Sequence, residues 1–281
     1  MILTYLYDIN ELNMMGDAIV LSLKDYSFTH KKMYSIDEIK DIKNSVDKKV
    51  FLSITPLFHE DELDGLRYAI KELSNLDGYI FQDLGLVEIF KEFNILDKAI
   101  YAPETFITNH IDKDYFKNTG LNQFMISREI TLNDIKTILD KKEDTKYLFQ
   151  AFGYSMMFYS FRHHFSNFIK HYNLNLDLKD NFNLLIKEET RKEYYKAIED
   201  NRGFRIYKDK IFSAYKELNE ISPDYILLER VFINDDMYFD SVKLFKGEIS
   251  IGDFYNKYDK HQFDKGYLYH EVGLLREDSN E

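Results

Sequence analysis

The sequence predicts a single α/β domain, a (β/α)₈ TIM-like barrel with a small β-rich insertion after its seventh strand. Three observations predict it. Eight short apolar runs of strand length recur along the 281 residues. All but one of the gaps between them are about 10 to 30 residues long, enough for a crossover helix, and most carry helical periodicity. The runs are nearly continuous in apolar residues, as parallel strands covered on both faces require.

The first two runs, 2–6 and 18–21, open the chain. Ser35 with Glu38 three positions later is a capping box and starts a helix, and the third run is 50–54. Across 60–74, Leu63, Leu66, Ile70 and Leu73 form an apolar stripe at three- and four-residue spacing, a helix that leads to the fourth run at 78–81. The fifth and sixth runs are 99–102 and 124–127, after which Thr131 and an acidic first turn mark another helix start. Between the seventh run, 147–152, and the eighth, 225–228, lie about 70 residues, too many for a plain connection. An insertion at 153–207 is therefore expected. Inside it 183–188, 194–198 and 203–207 read as short strands around the turn Glu199-Asp200-Asn201-Arg202-Gly203, and 209–218 reads as the barrel's seventh helix. Residues 235–245 read as helical, 265–269 close the barrel before a polar tail, and one domain spans 1–281.

Composition removes several function classes. With no cysteine, the chain cannot supply disulfides, thiolate zinc sites, a cysteine nucleophile or cysteine-held iron–sulfur clusters. Forty-nine acidic against 37 basic residues give a net charge of −12, which repels phosphate backbones, so nucleic acid needs a local basic patch or a partner protein. The 22 Tyr and 23 Phe, beside abundant Asn, Lys and Ile, match the residue usage of an AT-rich genome better than a base-stacking platform. The N-terminus carries no basic leader and no apolar run reaches about 18 residues, so the expectation is a cytoplasmic protein without a membrane span.

In an eight-fold barrel the functional face is built from the C-terminal ends of the strands. Here the fourth strand ends in Gln82 and Asp83, the fifth in Glu104, the sixth in Arg128 and Glu129, and the eighth in Glu229 and Arg230; the seventh runs on toward Ser160 and Arg162. Asp83, Glu104, Glu129 and Glu229 are the candidate catalytic acids and bases, a role that needs a pKa raised by burial. Gln82, Arg128, Ser160, Arg162 and Arg230 are the candidate substrate-binding residues. Arg128 and Arg162 lead that set, because a guanidinium fork matches a carboxylate or phosphate. The competing reading of neighbours such as Arg128 and Glu129 is a rim salt bridge. No metal site is expected, since His163, His164 and His171 lack a third ligand at suitable spacing. Ser160 lies in no nucleophile elbow and has no evident paired base, which argues against a serine hydrolase.

These residues resemble the U32 peptidase family, also called collagenase-like proteases, and in particular its short members associated with prephenate-dependent 5-hydroxylation of tRNA uridine. The pieces that carry the resemblance are Gln82-Asp83-Leu84-Gly85, Ser127-Arg128-Glu129-Ile130, and Gly153 followed by Met157, Tyr159-Ser160 and Arg162; Glu199-Asp200 with Gly203 and Leu228-Glu229-Arg230 resemble later motifs more weakly. Where the family carries cluster-binding cysteines this chain has Met156 and His163, Phe152 replaces a histidine before the glycine, and Thr55 replaces an asparagine after the third strand. The resemblance implies an enzyme or subunit without its own cluster, working beside a longer, cluster-bearing relative. It also implies contact with tRNA indirectly or through a local patch, and arginines kept for a small carboxylate such as prephenate. A collagenase-like peptidase and a non-catalytic barrel that binds a partner are the alternatives.

Overall fold

The computed structural model describes residues 1–270 apart from 29, 56, 179 and 180. Eight parallel strands form the barrel: β1 (Ile2–Tyr5), β2 (Ala18–Ser22), β3 (Lys49–Ile54), β4 (Gly78–Phe81), β5 (Ala99–Tyr101), β6 (Gln123–Met125), the first half of β7 (Lys146–Ser160) and, after the insertion, Tyr225–Leu228. Each pairs with the next, and Tyr225–Leu228 pairs in parallel with both β7 and β1, which closes the cylinder. All eight predicted runs are therefore barrel strands. Helices α1 (Ile36–Ser45), α2 (Leu63–Glu72), α3 (Leu86–Glu92), α4 (Asp112–Lys117) and α5 (Leu132–Asp140) return the chain between strands. The capping boxes at Ser35 and Thr131 both form, with Glu38 and Asp134 as the returning carboxylates.

Side chains alternate between the two layers with period two. Leu3, Val20, Phe51, Ile80, Ile100 and Leu148 fill the barrel interior, while Ile19, Leu52, Phe81 and Phe149 face outward onto helix residues such as Leu66, Ile70 and Phe90. At the N-terminal rim, carboxylates just before strands pin their neighbours: Asp17 accepts from the Ile2 amide at 2.8 Å, Asp77 from Val50 at 2.7 Å and Asp224 from Tyr147 at 3.0 Å. That rim is used for stability, which leaves the opposite rim for chemistry.

The insertion is built on β7 itself. At Gly153 the strand leaves the barrel with φ 109°, and a Cβ there would lie 2.6 Å from both the Cβ and the carbonyl oxygen of Glu229. Only glycine allows this crossing. Beyond it, β7 continues as the first strand of an antiparallel sheet completed by α6 (His164–Tyr172), β8 (Leu184–Ile186), β9 (Tyr195–Asp200) and β10 (Gly203–Ser213). The three short strands predicted in the insertion are thus present.

The seventh helix expected at 209–218 is not. β10 runs to Ser213 and a single 3-10 turn, Glu217–Asn219, precedes the last barrel strand, β11 (Tyr225–Leu228). Adjacent Ile211 and Phe212 are both buried, and they pair with Phe263 and Asp264 of β12 (Phe263–Asp264), so tertiary packing overrides a weak helical pattern. The inserted sheet accordingly extends past the expected boundary at 207. Helices α7 (Asp235–Phe245) and α8 (Ile251–Lys257) follow β11. Among the described residues no helix is long and apolar enough to cross a membrane.

Candidate functional site

The C-terminal mouth of the barrel is roofed by the inserted sheet. Its centre is an ion pair between Glu104, just after β5, and Arg128, just after β6. Glu104 has φ 67°, in a three-residue turn closed by the Thr105 amide donating to Pro103 O at 2.7 Å. A non-glycine residue in this conformation stores about 1–3 kcal/mol of strain, tolerated where the surrounding contacts fix it. Gln82 Nε2 donates to Glu104 at 2.9 Å, and Arg128 Nη1 donates to Gln150 Oε1 at 2.7 Å. Gln150 is buried inside β7, and its Nε2 has no hydrogen-bond partner among the described residues.

Glu229 faces this group from the end of β11. Its carboxylate accepts from the backbone amides of Arg230 and Val231 at 2.8 and 3.4 Å, and burial pushes its pKa above the ordinary value against the lowering influence of those amides and of Arg128. His30 lies 4.0 Å away, stacked on Tyr5 at 4.3 Å and hydrogen-bonded to the Tyr7 hydroxyl at 3.1 Å. Burial, reinforced by Arg205 and Arg230, holds its pKa down to about 3, so the imidazole is neutral at physiological pH and does not pair with Glu229 as a cation. Tyr207, on β10, closes the group from above, and burial pushes its hydroxyl up to about 12.

Three cavities of about 50, 120 and 420 Å³ share Glu104 and Met156 in their walls. The smallest is lined by Tyr5, His30, Arg128, Tyr207 and Glu229 among others. The largest opens outward past Gln82, Tyr101 and Glu129. Arg128 lines the smallest cavity and stands beside Glu104, which also lines the largest, so a small anion held by Arg128 can be reached by a larger partner from the open side.

Gln82, Glu104, Arg128, Glu129 and Glu229 are therefore brought together, and the other candidates are not. Asp83 is spent on loop structure, accepting from the Phe58 and Gly85 amides at 2.9 and 2.8 Å. Arg230 is buried, with its guanidinium engaged by Glu11, Asp235 and Tyr5 O. Ser160 and Arg162 lie at the outer end of β7, where Arg162 is exposed. Contrary to the expectation that Ser160 lacks a base, His164 Nε2 stands 3.2 Å from its Oγ, across the bend that joins β7 to α6. Sequence reasoning missed His30, Gln150, Arg205 and Tyr207. A glutamine inside an otherwise apolar strand was a usable signal; the other three follow strands or lie in the insertion, and nothing local marks them.

Among the described residues no group of three His, Cys, Asp or Glu is placed to hold a metal. Met156 lines the cavities while His163 is half exposed at the start of α6, so the two residues at the family's cysteine positions do not fit a shared cluster.

Residues 10–224 match the sequence model of the family described as Peptidase family U32. The chain belongs to this family. Over 129 residues it is 23% identical to the 23S rRNA 5-hydroxycytidine C2501 synthase of Escherichia coli (strain K12), a match that covers 44% of this chain and 19% of that protein. The chain therefore spans about a fifth of the relative's length. Among solved structures, N-(5'-phosphoribosyl)anthranilate isomerase from Pyrococcus furiosus aligns with 88% of this chain and 98% of its own at 10% identity, with a TM-score of 0.47. In this U32 member the family motifs 82–85 and 127–130 both border the Glu104–Arg128 centre.

Proposed function

We propose that this U32 member takes part in 5-hydroxylation of a pyrimidine in RNA, with the tRNA wobble uridine as the finer assignment. It would act without a cluster of its own, in the cytoplasm, beside a longer cluster-bearing family member. The observation that carries the reading is the Arg128–Glu104 centre beside a small polar-lined cavity, in a family that includes a protein named as an RNA hydroxycytidine synthase. Arg128 is the group that would hold a small carboxylate such as prephenate, with Gln82 and Glu104 fixing its position. Glu229, with its raised pKa, is suited to hold or release a proton beside that ligand.

The net charge of −12 is unevenly spread. From Thr145 to Leu176 the chain has no Asp or Glu, and this stretch carries Arg162, Lys170, His163, His164 and His171. Phe161, Phe168 and Tyr172 are exposed among them, and Phe161 packs against Tyr159, which lines the open cavity. Arg162 and Lys170 among exposed rings suit single-stranded RNA, which supports direct contact through a local patch. Nucleoside analysis of tRNA and rRNA from a deletion strain tests the reading: loss of 5-hydroxyuridine derivatives or 5-hydroxycytidine is expected, and an unchanged profile would refute it.

One observation favours a second reading, a peptidase: the Ser160–His164 contact. Among the described residues no carboxylate is hydrogen-bonded to His164, whose ring instead packs against Phe158 and Phe204. Cleavage of casein or gelatin that disappears in Ser160→Ala would support it, and absence of cleavage retires it.

A further inference from the structure

We propose that Lys208, carried by the inserted sheet, binds a second acidic group of the ligand that Arg128 holds, so that the mouth selects a small molecule with two acidic groups. The inference rests on the small-anion reading above and adds a ligand class and a residue to it. Arg128 and Lys208 both line the cavity of about 120 Å³, together with Phe149, Phe212 and Leu268. Arg128 lines the smallest cavity as well. A ligand on Arg128 therefore has beside it an apolar-walled space that contains one further cation.

Lys208 reaches this wall through a break in the sheet. Tyr207 pairs with Met156 and Ile211 with Tyr154, so Lys208, Asp209 and Lys210 stand against Ser155 alone. Such a bulge re-aims side chains, and here the adjacent residues Tyr207 and Lys208 line two different cavities that share Arg128. The Lys208 ammonium lies 4.1 Å from the centre of the Tyr267 ring, and Tyr267 lines the same cavity. That ring is held in place by its neighbour Leu268, whose carbonyl accepts from the Leu132 amide at 2.9 Å. Among the described residues Lys208 has no hydrogen bond or ion pair, and its half-buried side chain keeps the nitrogen accessible. The ring steadies the charge while the N–H donors stay free for an anionic oxygen. Arg202, Arg230 and Lys265, in contrast, are each paired with a carboxylate. Glu129 also lines the cavity, but it is exposed, where water and salt screen its charge.

Calorimetric titration of the full-length protein with prephenate, which carries two carboxylates, and with phenylpyruvate, which carries one, tests the assignment. Wild type is expected to bind prephenate saturably and at least tenfold more tightly than phenylpyruvate. Lys208→Met should weaken prephenate binding by tenfold or more and leave phenylpyruvate binding within twofold, while Lys208→Arg should recover part of the loss. The urea midpoint of Lys208→Met should match wild type, because the fold loses no hydrogen bond or ion pair. Prephenate affinity within twofold of wild type in Lys208→Met, or an equal loss for both probes, would overturn the assignment and leave the small-anion reading standing. If wild type bound neither probe, this inference and the small-anion ligand would both fall, whereas RNA hydroxylation would still be decided by nucleoside analysis.

Discussion

His30 packs on Tyr5 with its charge suppressed by burial and by two arginines, and this gives a direct pH consequence. Its folded pKa of about 3 lies below the ordinary 6.5, so between those values the unfolded chain binds a proton that the folded chain refuses. Stability contributed by the neutral ring is present above about 6.5 and is lost as pH falls toward 3. Glu229 works in the opposite sense: its raised pKa makes the folded chain bind the proton first, so lowering the pH toward its unfolded value relieves a cost. Urea denaturation at pH 7 and pH about 4.5 should show a fall in stability that is smaller in His30→Gln than in wild type. The two arginines of the mouth should also separate. Arg230→Ala leaves Glu11 and Asp235 without their buried partner and should cost about 3–5 kcal/mol in the same assay. Arg128→Ala removes the partner of one partly exposed carboxylate, Glu104, so it should cost less stability than Arg230→Ala and abolish function. Residue types after each strand made Glu104, Arg128 and Glu229 legible in the sequence. The engagement of Arg230 and Asp83 was not, because it depends on Glu11 and on the Phe58 amide, both remote in sequence.

At the scale of elements, β7 matters most, since one strand serves the barrel and then the roof over its mouth. Gly153→Ala would press a methyl group against Glu229 in a backbone conformation that alanine avoids. It should destabilise the protein by about 2 kcal/mol or more and disturb the position of Glu229, seen as a lower urea midpoint. The hairpin between β9 and β10 relies on Arg202, whose guanidinium pairs with Glu62 and lies against the Tyr26 and Phe58 rings. Arg202→Ala should speed limited proteolysis within 195–213 while the barrel core stays resistant. Strand positions were readable because continuous apolar runs survive any arrangement of loops. The missing seventh helix was not readable: Ile211 and Phe212 become strand residues by pairing with both β7 and β12, each more than about 50 positions away in the chain.

The whole molecule joins a closed barrel, whose core uses ordinary alternation, to a roof that the same chain folds over the mouth. Closure was legible from eight runs and their spacing, and the family from motifs that prove to border one centre. The small chamber was not legible, because Tyr5, His30, Arg128, Tyr207 and Glu229 come from five separate stretches and meet only after closure. We propose that this chamber serves RNA hydroxylation through Arg128. The most direct test is complementation of the deletion strain, with hydroxylated pyrimidines in its RNA measured by mass spectrometry. Wild type should restore them, while Arg128→Ala, accumulating to the same level, should not; full restoration by Arg128→Ala would contradict the account.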